Sequence, residues 1–421
     1  MEAPCVPRVL RFMTINVWYT AGGPTYAARL AGLRRWIAAV RPDVLALQEV
    51  LRDASLPACS VTQLDADGPS MAVHSGGQEE ATGDGGGGGG GNIDGGGASL
   101  PPPAPYDQSH ELLDGLGFAA VAYGAASSFW GDPSQVIGNA IASRHPILDA
   151  ERLTLPSTAG DWEERGTSSK GDKAVPLTGV PANGVATSPA REVPPVVSRP
   201  PERRAAVSAV VATSAGTLAV TTAHLNWRLH DSPVRQAQVV ALDAFALARG
   251  RAAAAAAAAA VTSTGGGPHR PFPSVLLGDF NAEPPSTELC FLRGHATIGG
   301  ASTAWTDAWE AARRSAPAVA AAAATDGGET YVPSANPAAA LEAEPDRRLD
   351  YVCVAPPAAD GRGAVVRSRV VCDWPDGEGV FPSDHYGVVA DLRADAVRGL
   401  AAERRRLGWS HASPHPGEGE G

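Results

Sequence analysis

Short apolar runs alternate along this chain with stretches whose apolar residues recur at helical spacing. The runs Val9–Trp18 and Val44–Val50 predict strands, because each is a short, mainly apolar segment that ends in polar residues. Between them, Tyr26–Val40 places its large apolar residues three or four positions apart, which predicts an amphipathic helix that Pro42 ends. A strand, a helix and a strand within about 40 residues are typical of a layered α/β unit.

The same patterns predict elements throughout the rest of the chain. Arg203–Thr213 and Thr217–His224 are predicted to form a hairpin around Ala215-Gly216, and Pro233–Arg249 is predicted to be a helix. The remaining predicted elements are helices at His110–Leu116 and near Trp305–Ala312, and strands at Phe118–Tyr123, Ile137–Ile147, Ser274–Leu277, Leu349–Val354, Val365–Cys372 and, after a loop, within Pro382–Leu392.

Segments of biased composition interrupt these elements. They are rich in glycine, proline or alanine and lack the apolar spacing of a core, so we predict that they are low-complexity insertions. The run Ala252–Ala260 has the propensity to continue the preceding helix, but we interpret it as low complexity beside a loop. The prediction is one domain over 1–394, insertions at about 60–105, 156–202, 250–270 and 313–328, and a disordered tail at 395–421.

Charge and cysteine usage narrow the class of protein. The 421 residues carry a formal net charge of −11, so no global basic field gathers nucleic acid, although a local basic groove stays compatible with this charge. The five cysteines show no CxxC spacing, which indicates reduced thiols. We recognise no signal peptide and no apolar run near the roughly 18 residues of a membrane span. We therefore expect a cytoplasmic or nuclear protein.

The stretch Ser274–Glu288 combines a predicted strand with a pair of polar residues. Its apolar run ends at Gly278, and Asp279 and Asn281 follow two positions apart. In extended backbone, residues at this spacing point to the same side, so a carboxylate and an amide would face one point at the end of the strand. An Asx-type turn is the alternative interpretation of the pair.

Polar residues follow other predicted strands in the same way. Because the strand ends of one sandwich can converge on a single edge, we predict that these residues form one site. The strand-end residues are Asn16, Glu49, His224 with Asn226, Asp279 with Asn281, Asp350, and Asp384 with His385.

The segments that contain these residues resemble the motifs of the endonuclease/exonuclease/phosphatase superfamily, and they occur in the same order. The motifs are TINVW, LALQEV, TAHLNW, GDFNAEP, RRLDYV and PSDHYGV. The resemblance spans Val9–Leu392 without the biased insertions. It implies an α+β fold, the DNase I-like four-layered αββα sandwich, with an active site at one end of the paired sheets.

Individual motifs resemble different branches of the superfamily. Trp18 stands where many DNA-repair members carry an acidic residue, and this Asn-x-Trp pattern is similar to neutral sphingomyelinases and to an uncharacterised bacterial-type group. The segment HLNW followed by Val234-Arg235-Gln236 is similar to deadenylases. GDFNAEP and EPDRRLDY, with Asn336-Pro337 upstream, resemble the uncharacterised group most.

The resemblance also implies a metal ion. Glu49 is a hard oxygen ligand of the kind that Mg²⁺ or Mn²⁺ prefers. Asn16 would position Glu49 or the metal-bound water. Asp384 would complete the set of metal-binding residues or help to orient the pair of Asp350 and His385.

The remaining motif residues are expected to act on the phosphoester itself. Asp279 would be the general base, and Asn281 would donate a hydrogen bond to a non-bridging phosphate oxygen. His385, oriented by Asp350, would stabilise the phosphoryl group, and His224 would contact the phosphate. Expected on the substrate side are Asn139 and Asn226, together with Trp18, Trp130 and Trp227, for which ordinary packing is the alternative.

These expectations define a Mg²⁺- or Mn²⁺-dependent phosphoesterase that hydrolyses a phosphodiester, or a phosphomonoester, by in-line attack of an activated water. The alternatives are a nuclease or deadenylase acting on single-stranded nucleic acid, a sphingomyelinase-like or inositol-phosphate phosphoesterase, and an inactive scaffold. The presence of every expected acid, amide and histidine argues against the scaffold. The expected partner is a phosphoester substrate, either nucleic acid, lipid headgroup or small molecule, and no stable protein partner is predicted.

Overall fold

Two β-sheets packed face to face form the centre of the computed structural model, which describes residues 7–19, 23–64, 72–73, 105–129, 132–158, 202–264, 271–315, 327–342, 344–397 and 399. The strands are β1 (Val9–Asn16), β2 (Val44–Asp53), β3 (Cys59–Gln63), β4 (Ala72–Val73), β5 (Ala120–Phe129), β6 (Asp132–Ser143), β7 (Ile147–Thr154), β8 (Ala205–Thr213), β9 (Gly216–His224), β10 (Val275–Asp279), β11 (Thr306–Asp307), β12 (Asp350–Val354), β13 (Val365–Val371) and β14 (Gly387–Arg393). The helices are α1 (Tyr26–Val40), α2 (Gln108–Leu113), α3 (Ser232–Thr264), α4 (Thr287–Leu292) and α5 (Ala308–Arg314), with 3₁₀ turns at Leu229–Asp231 and Ala339–Glu342.

Each sheet mixes parallel and antiparallel strands. The first has the order β13-β14-β1-β2-β6-β5-β3-β4, and the second has the order β11-β12-β10-β9-β8-β7. The parallel pairs are β1 with β2 and β9 with β10, so the carboxyl ends of each pair lie at one edge of its sheet. This arrangement places the polar residues that end these strands close to one another.

Apolar side chains fill the space between the two sheets, and others lie between the outer face of each sheet and the helices that cover it. Phe12 of the first sheet and Leu277 of the second belong to one buried cluster between them. On the outer face of the first sheet, Ile37 of α1 packs in a cluster with Ile15, and α3 and α4 cover the second sheet around Leu276. Helix, sheet, sheet and helix therefore form the four layers of an αββα sandwich.

A buried chain of polar side chains joins the two sheets near the site. The Thr14 hydroxyl donates to Gln48 Oε1 at 3.2 Å, and Gln48 Nε2 donates to the Thr222 hydroxyl at 2.9 Å. Thr14 and Gln48 lie in the first sheet and Thr222 lies in the second. Because buried polar groups are costly unless they are paired, these bonds favour one alignment of the sheets.

Several predicted elements are confirmed. The helix Tyr26–Val40 has the predicted bounds. The predicted hairpin is present, with strands that begin at Ala205 and Gly216 and pair antiparallel. In the described part of the chain, no helix has both the length and the apolar character that crossing a membrane requires.

The alanine run is helical, contrary to our interpretation of it as low complexity beside a loop. Helix α3 continues through it to Thr264, so residues 250–264 of the predicted insertion are helical, and 265–270 lie outside the described residues. Ala253 and Ala257 are buried at a spacing of four, and Ala253 packs in a cluster with Val210 and Ala219. Small side chains let the helix lie close to the sheet there, and alanine has the highest helix propensity.

Other predicted boundaries also move. Strand β3 extends into the predicted insertion at 60–105 and pairs with β4 and β5, while most of that segment lies outside the described residues. Helix α5 runs to Arg314, past the predicted start of the insertion at 313–328. Most of 156–202 and of the tail at 395–421 also lies outside the described residues.

Strand β7 was not predicted. Ile147–Thr154 forms β7 at the edge of the second sheet, where Leu148 is exposed and charged residues alternate with apolar ones. An edge strand of this composition is difficult to distinguish from a loop by its sequence.

Candidate active site

The ends of four strands bring the predicted polar residues to one edge of the sandwich. Asp279 ends β10 and pairs in register with His224 at the end of β9. On its other side, Asp279 pairs with Asp350, the first residue of β12. Asn16 ends β1 in the facing sheet. The residues that sequence analysis placed at separate strand ends are therefore neighbours.

Asn16 connects the carboxylates of the two sheets. Its Nδ2 atom donates to Glu49 Oε1 and to Asp279 Oδ2, both at 3.2 Å. Its Oδ1 atom accepts from the backbone N–H of Trp18 at 3.0 Å, which fixes the amide orientation. The backbone N–H of Tyr19 donates to the other oxygen of Glu49 at 3.3 Å.

Unusual backbone conformations turn these side chains into the site. Gly278 has φ +140°, and a Cβ atom there would lie 2.1 Å from the carbonyl oxygen of Ala223. Glu49 and Asn281 have φ 62° and 49°, and the register between β2 and β6 shifts next to Glu49. Non-glycine residues adopt positive φ at an energetic cost, and such positions cluster at functional sites.

The Asp279 carboxylate lies at the centre of the cluster and is almost completely buried. Its Oδ1 atom accepts from the backbone N–H of Asn281 at 3.0 Å. Its Oδ2 atom lies 3.4 Å from His224 Nε2 and 3.8 Å from His385 Nε2. Burial raises the pKa of Asp279 to about 6, and this effect exceeds the opposing influence of the His385 cation.

His385 is held by a buried carboxylate on the far side of its ring. Its Nδ1 atom lies 2.8 Å from Asp350 Oδ2, and the ring centroid of Tyr331 is 5.1 Å from that of His385. Burial alone would lower the pKa of His385, but the negative charges of Asp350 and Asp279 outweigh it and raise this pKa well above the usual value. His385 is therefore a cation at neutral pH.

His224 has the opposite charge state. It lies 3.8 Å from Glu49 and 3.4 Å from Asp279. Burial lowers the pKa of His224 well below the usual value, and the positive charges of Arg204 and His385 lower it further. One neutral and one cationic imidazole therefore face the same carboxylate.

Asp384 is positioned by the loop that precedes His385. The Ser383 hydroxyl lies 2.6 Å from the carbonyl oxygen of Asn16 and 3.1 Å from Asp384 Oδ1. Asn336, part of the Asn-Pro motif, is fully buried and donates to the Ser383 carbonyl at 2.8 Å. Burial raises the pKa of Asp384 to about 6, and the negative charge of Glu49 contributes to this rise.

The predicted substrate-side amides are buried and engaged in hydrogen bonds. Asn281 donates to the Leu225 carbonyl at 3.1 Å, and Asn139 donates to the Ala205 carbonyl at 2.7 Å. Asn226 uses both amide atoms, since Nδ2 donates to Asp231 at 3.1 Å and Oδ1 accepts from Gln238 at 2.9 Å. The Trp18 backbone N–H donates to Asn16 Oδ1, Trp227 is exposed next to Asn226, and Trp130 lies outside the described residues.

Two arginines near the site were not predicted as site residues from the sequence. Arg204 precedes β8 and is 8% exposed, and its charge influences both Glu49 and His224. Arg347 is 7% exposed, and its charge interacts with that of Asp279. Neither follows an apolar strand, and each reaches the site only through tertiary packing. The repeated arginine in RRLDYV was a signal, but the pattern does not distinguish Arg347 from Arg348, which pairs with Asp307 at 2.8 Å.

The oxygen atoms of this cluster fit a hard divalent cation. Burial is the largest cause of the raised pKa values of Glu49, Asp279 and Asp384, and Asp384 also feels the negative charge of Glu49. The Asp279 carboxyl group is buried and those of Glu49 and Asp384 are partly buried, and a positive charge among them would stabilise their ionised forms. Mg²⁺ prefers oxygen ligands and often takes one or two carboxylates, so the residues present suit such an ion.

A comparison of sequences identifies the family. The sequence model of the Endonuclease/Exonuclease/phosphatase family matches residues 13–385. The chain belongs to this family, whose members are generally hydrolases of phosphoester bonds. The resemblance inferred from the motifs and the predicted α+β, DNase I-like αββα sandwich are both confirmed.

Solved structures of similar fold include family members from several organisms. The endonuclease/exonuclease/phosphatase from Beutenbergia cavernae is 19% identical, with 92% of this chain and 72% of that chain covered and a TM-score of 0.48. The endonuclease/exonuclease/phosphatase from Bacteroides vulgatus is 14% identical, with 93% of this chain and 100% of that chain covered and a TM-score of 0.47. D. rerio TDP2 complexed with single strand DNA product is 14% identical, with 91% of this chain and 98% of that chain covered and a TM-score of 0.46. None of the curated proteins compared with this chain matches it.

Proposed function

We propose that this protein is a divalent-metal-dependent phosphoesterase that hydrolyses a phosphodiester, or a phosphomonoester, by in-line attack of water. One observation supports this above all others. Asp279 Oδ2 lies 3.2 Å from the Asn16 amide, 3.4 Å from His224 and 3.8 Å from His385, at an edge shared by both sheets. A base, a neutral imidazole and a cationic imidazole around one point suit the transfer of a phosphoryl group.

Asp279 is the proposed general base. With a pKa of about 6, it is mainly ionised at neutral pH and still basic enough to accept a proton from the attacking water. Asn16 and the backbone N–H of Asn281 each hold one of its oxygens, so the carboxylate has little freedom to rotate. This restraint keeps the base aligned with the water.

The two histidines are proposed to stabilise the phosphoryl oxygens. His385 carries a positive charge, which favours the negative charge that develops in the transition state, and Asp350 fixes its ring. His224 is neutral and contacts the phosphate through a hydrogen bond. Asn281 has a second amide hydrogen for a non-bridging oxygen, and Asn139 and Asn226 shape the substrate side of the site.

Asn16, Glu49 and Asp384 are proposed to hold Mg²⁺ or Mn²⁺. When bound, the ion neutralises charge on the phosphoryl oxygens. A second set, Asp279, Asp350 and His385, brings ligand atoms within 4.8 Å of one another among the described residues. We favour the first set, because a protonated His385 that is bonded to Asp350 has no lone pair to offer a metal.

A nuclease or deadenylase acting on single strands is the second candidate, and the rim of the site favours it. The Arg29 guanidinium lies 4.4 Å from the centre of the Trp18 ring, and Arg228 lies 5.0 Å from the centre of the Trp227 ring. Aromatic rings beside cations are the surfaces on which single-stranded nucleic acids stack. A local basic and aromatic rim is thus compatible with the acidic net charge.

Metal-dependent hydrolysis by the purified protein tests the proposal. The substrates are bis-p-nitrophenyl phosphate, single-stranded DNA and RNA, sphingomyelin, and inositol phosphates. We expect a Mg²⁺-dependent activity that Asp279→Asn and His385→Ala both abolish, while the exposed-residue controls Asp114→Asn and His295→Ala retain it. The preferred substrate shows whether the protein is a nuclease, a sphingomyelinase-like phosphoesterase or an inositol-phosphate phosphoesterase.

Other results would contradict the mechanism. Activity that persists in EDTA, or that survives both site variants, would exclude the proposed chemistry. The absence of turnover on every substrate would favour the inactive scaffold.

A further inference from the structure

Two arginines share one carboxylate at the mouth of the site. Arg204 Nη2 lies 2.7 Å from Glu202 Oε1, and Arg228 Nη1 lies 3.6 Å from Glu202 Oε2. Arg228 also lies 3.9 Å from Asp231, whose Oδ2 atom accepts from the Asn226 amide. None of these charged residues has a role in the reaction proposed above.

The position of Arg204 links this cluster to the catalytic residues. Arg204 directly precedes β8, whose Ala206 pairs with Ala223, the residue before His224. Its carbonyl oxygen accepts from the backbone N–H of Leu155 at 2.9 Å, and this bond holds the backbone in place. Arg204 is 8% exposed as a whole residue, and its charge acts on both His224 and Glu49.

The loop that carries Arg228 is held rigidly. Arg235 Nη1 donates to the carbonyl oxygens of Arg228 and Asn226 at 2.7 and 3.0 Å, and Arg235 Nε donates to Glu288 at 3.1 Å. The guanidinium of Arg228 lies over the Trp227 ring. Because the loop is fixed before any ligand arrives, little ordering is required on binding.

Two buried polar atoms of this cluster make no hydrogen bond to any described residue. Within the residues that the structure describes, Arg204 Nε and Glu202 Oε2 are buried and have no hydrogen-bond partner. A buried donor without a partner is costly, and a ligand that accepts a hydrogen bond from Arg204 Nε gains affinity. A phosphate group has several acceptor oxygens that match the donors of two guanidinium groups, whereas Glu202 engages them incompletely.

We propose that Arg204 and Arg228 form a second anion subsite, which binds a phosphate group of the substrate other than the one that is hydrolysed. Glu202 occupies this subsite when no substrate is bound and is displaced by the incoming phosphate. The inference depends on the proposed phosphoesterase function and adds a substrate class to it, namely phosphoesters that carry a second phosphate. A nucleic acid strand and a polyphosphorylated inositol share this chemistry.

Equilibrium binding by calorimetry tests the subsite without requiring turnover. Two ligand pairs are compared in Mg²⁺ at fixed salt: thymidine 3′,5′-bisphosphate with thymidine 5′-monophosphate, and inositol 1,4-bisphosphate with inositol 1-phosphate. In at least one pair, we expect the bisphosphate to bind about tenfold tighter, because charge-assisted hydrogen bonds contribute most of the difference. The pair with the larger ratio identifies the source of the second phosphate.

Variants with opposite expected effects distinguish binding at this subsite from a general effect of the protein's charge. Arg228→Gln, on a partly exposed side chain, should reduce the bisphosphate advantage to about twofold or less. Glu202→Gln should increase it, because the competing anion is removed. Arg251→Gln, which changes an exposed arginine on α3 by the same charge, should leave the ratio unaltered.

Each negative result has a different meaning. If neither bisphosphate binds tighter than its monophosphate, or if Arg228→Gln leaves the advantage intact, the subsite is wrong. Hydrolysis of bis-p-nitrophenyl phosphate is measured in parallel, so failure of the proposed phosphoesterase function is seen separately. A wild-type bisphosphate advantage without any turnover would support the subsite and contradict the enzyme.

Discussion

His385 and Asp350 form a buried hydrogen-bonded pair, with 2.8 Å between Nδ1 and Oδ2, although they are 35 positions apart in the chain. The negative charge of Asp350 is the strongest of the influences that raise the pKa of His385 above its usual value. Asp350 thereby provides both the orientation and the charge state of the imidazole that faces Asp279.

Replacing Asp350 by asparagine should reduce kcat by about 100-fold or more, because the imidazole loses its counter-charge and its fixed orientation. The measurement is steady-state hydrolysis of the preferred phosphoester, with circular dichroism to check folding. KM should change much less than kcat, since the pair acts on developing charge. A folded variant with unchanged kcat would remove the pair from the mechanism.

Gly278→Ala should destabilise the protein by at least about 2 kcal/mol, because the added Cβ meets a backbone oxygen and the left-handed φ disfavours alanine. Urea unfolding measures the loss. Gly377→Ala is the matched control, since an added Cβ there has no atom within 4 Å. Equal effects of the two substitutions would show that the close approach at Gly278 does not constrain the site.

Gln48→Ala should cost about 1–3 kcal/mol of unfolding free energy, because the hydroxyls of Thr14 and Thr222 lose their buried partner. The comparison is Gln63→Ala on β3, where the glutamine is exposed and the expected change is within about 0.5 kcal/mol. Chemical denaturation with matched m-values tests the difference. Similar losses in both variants would argue against the polar link between the sheets.

Ala257→Glu should destabilise the protein by about 2 kcal/mol or more, because it places a charged, larger side chain at a fully buried helix position. Ala258→Glu changes the neighbouring exposed position by the same chemistry and should be nearly neutral. Thermal and urea unfolding of the pair test whether the alanine run packs against the sheet. If both variants were neutral, the packing of this part of α3 would be contradicted.

Asp243 should make stability depend on pH. Its Oδ1 atom accepts from Thr303 and from Trp305 Nε1 at 2.7 and 2.8 Å, but burial outweighs these bonds and raises the pKa of Asp243 above 3.8. A carboxyl whose pKa is raised on folding stabilises the fold most below its unfolded pKa. This stabilisation is lost as the pH rises through the folded pKa.

Asp243→Asn keeps an acceptor oxygen but cannot ionise, so its stability relative to wild type should increase as the pH rises from about 4 to 7. Urea unfolding of both proteins across this range measures the difference between their free energies of unfolding. The contributions of the other titratable groups cancel in this difference. If the free energy of unfolding of Asp243→Asn relative to wild type stays constant or falls as the pH rises, ionisation of Asp243 does not destabilise the folded protein.

Local patterns in the sequence were sufficient for much of the fold and for the candidate residues. The apolar spacing of Tyr26–Val40 defined α1, because the period of a helix is visible in a single segment. Asp279 and His385 were found through short motifs, and the structure brings them to one edge, with 3.8 Å between the closest atoms of their side chains. Such motifs can be recognised from a few consecutive residues, without knowledge of the tertiary structure.

Features that depend on distant residues could not be predicted in this way. Strand β7 lies at a sheet edge, where its mixed composition resembles a loop, and the helical alanine run is packed only because Val210 and Ala219 lie beneath it. Arg204 follows a biased segment and reaches the site only because β8 lies beside β9.

Sequence alone thus determined which residue types end each strand, since side-chain alternation and turn propensity act over a few positions. Tertiary structure decided which of these ends meet, which imidazole is charged, and which arginines face the site. The physical reason is that burial and the distance between charges set pKa values and hydrogen bonds, and both depend on how the two sheets pack.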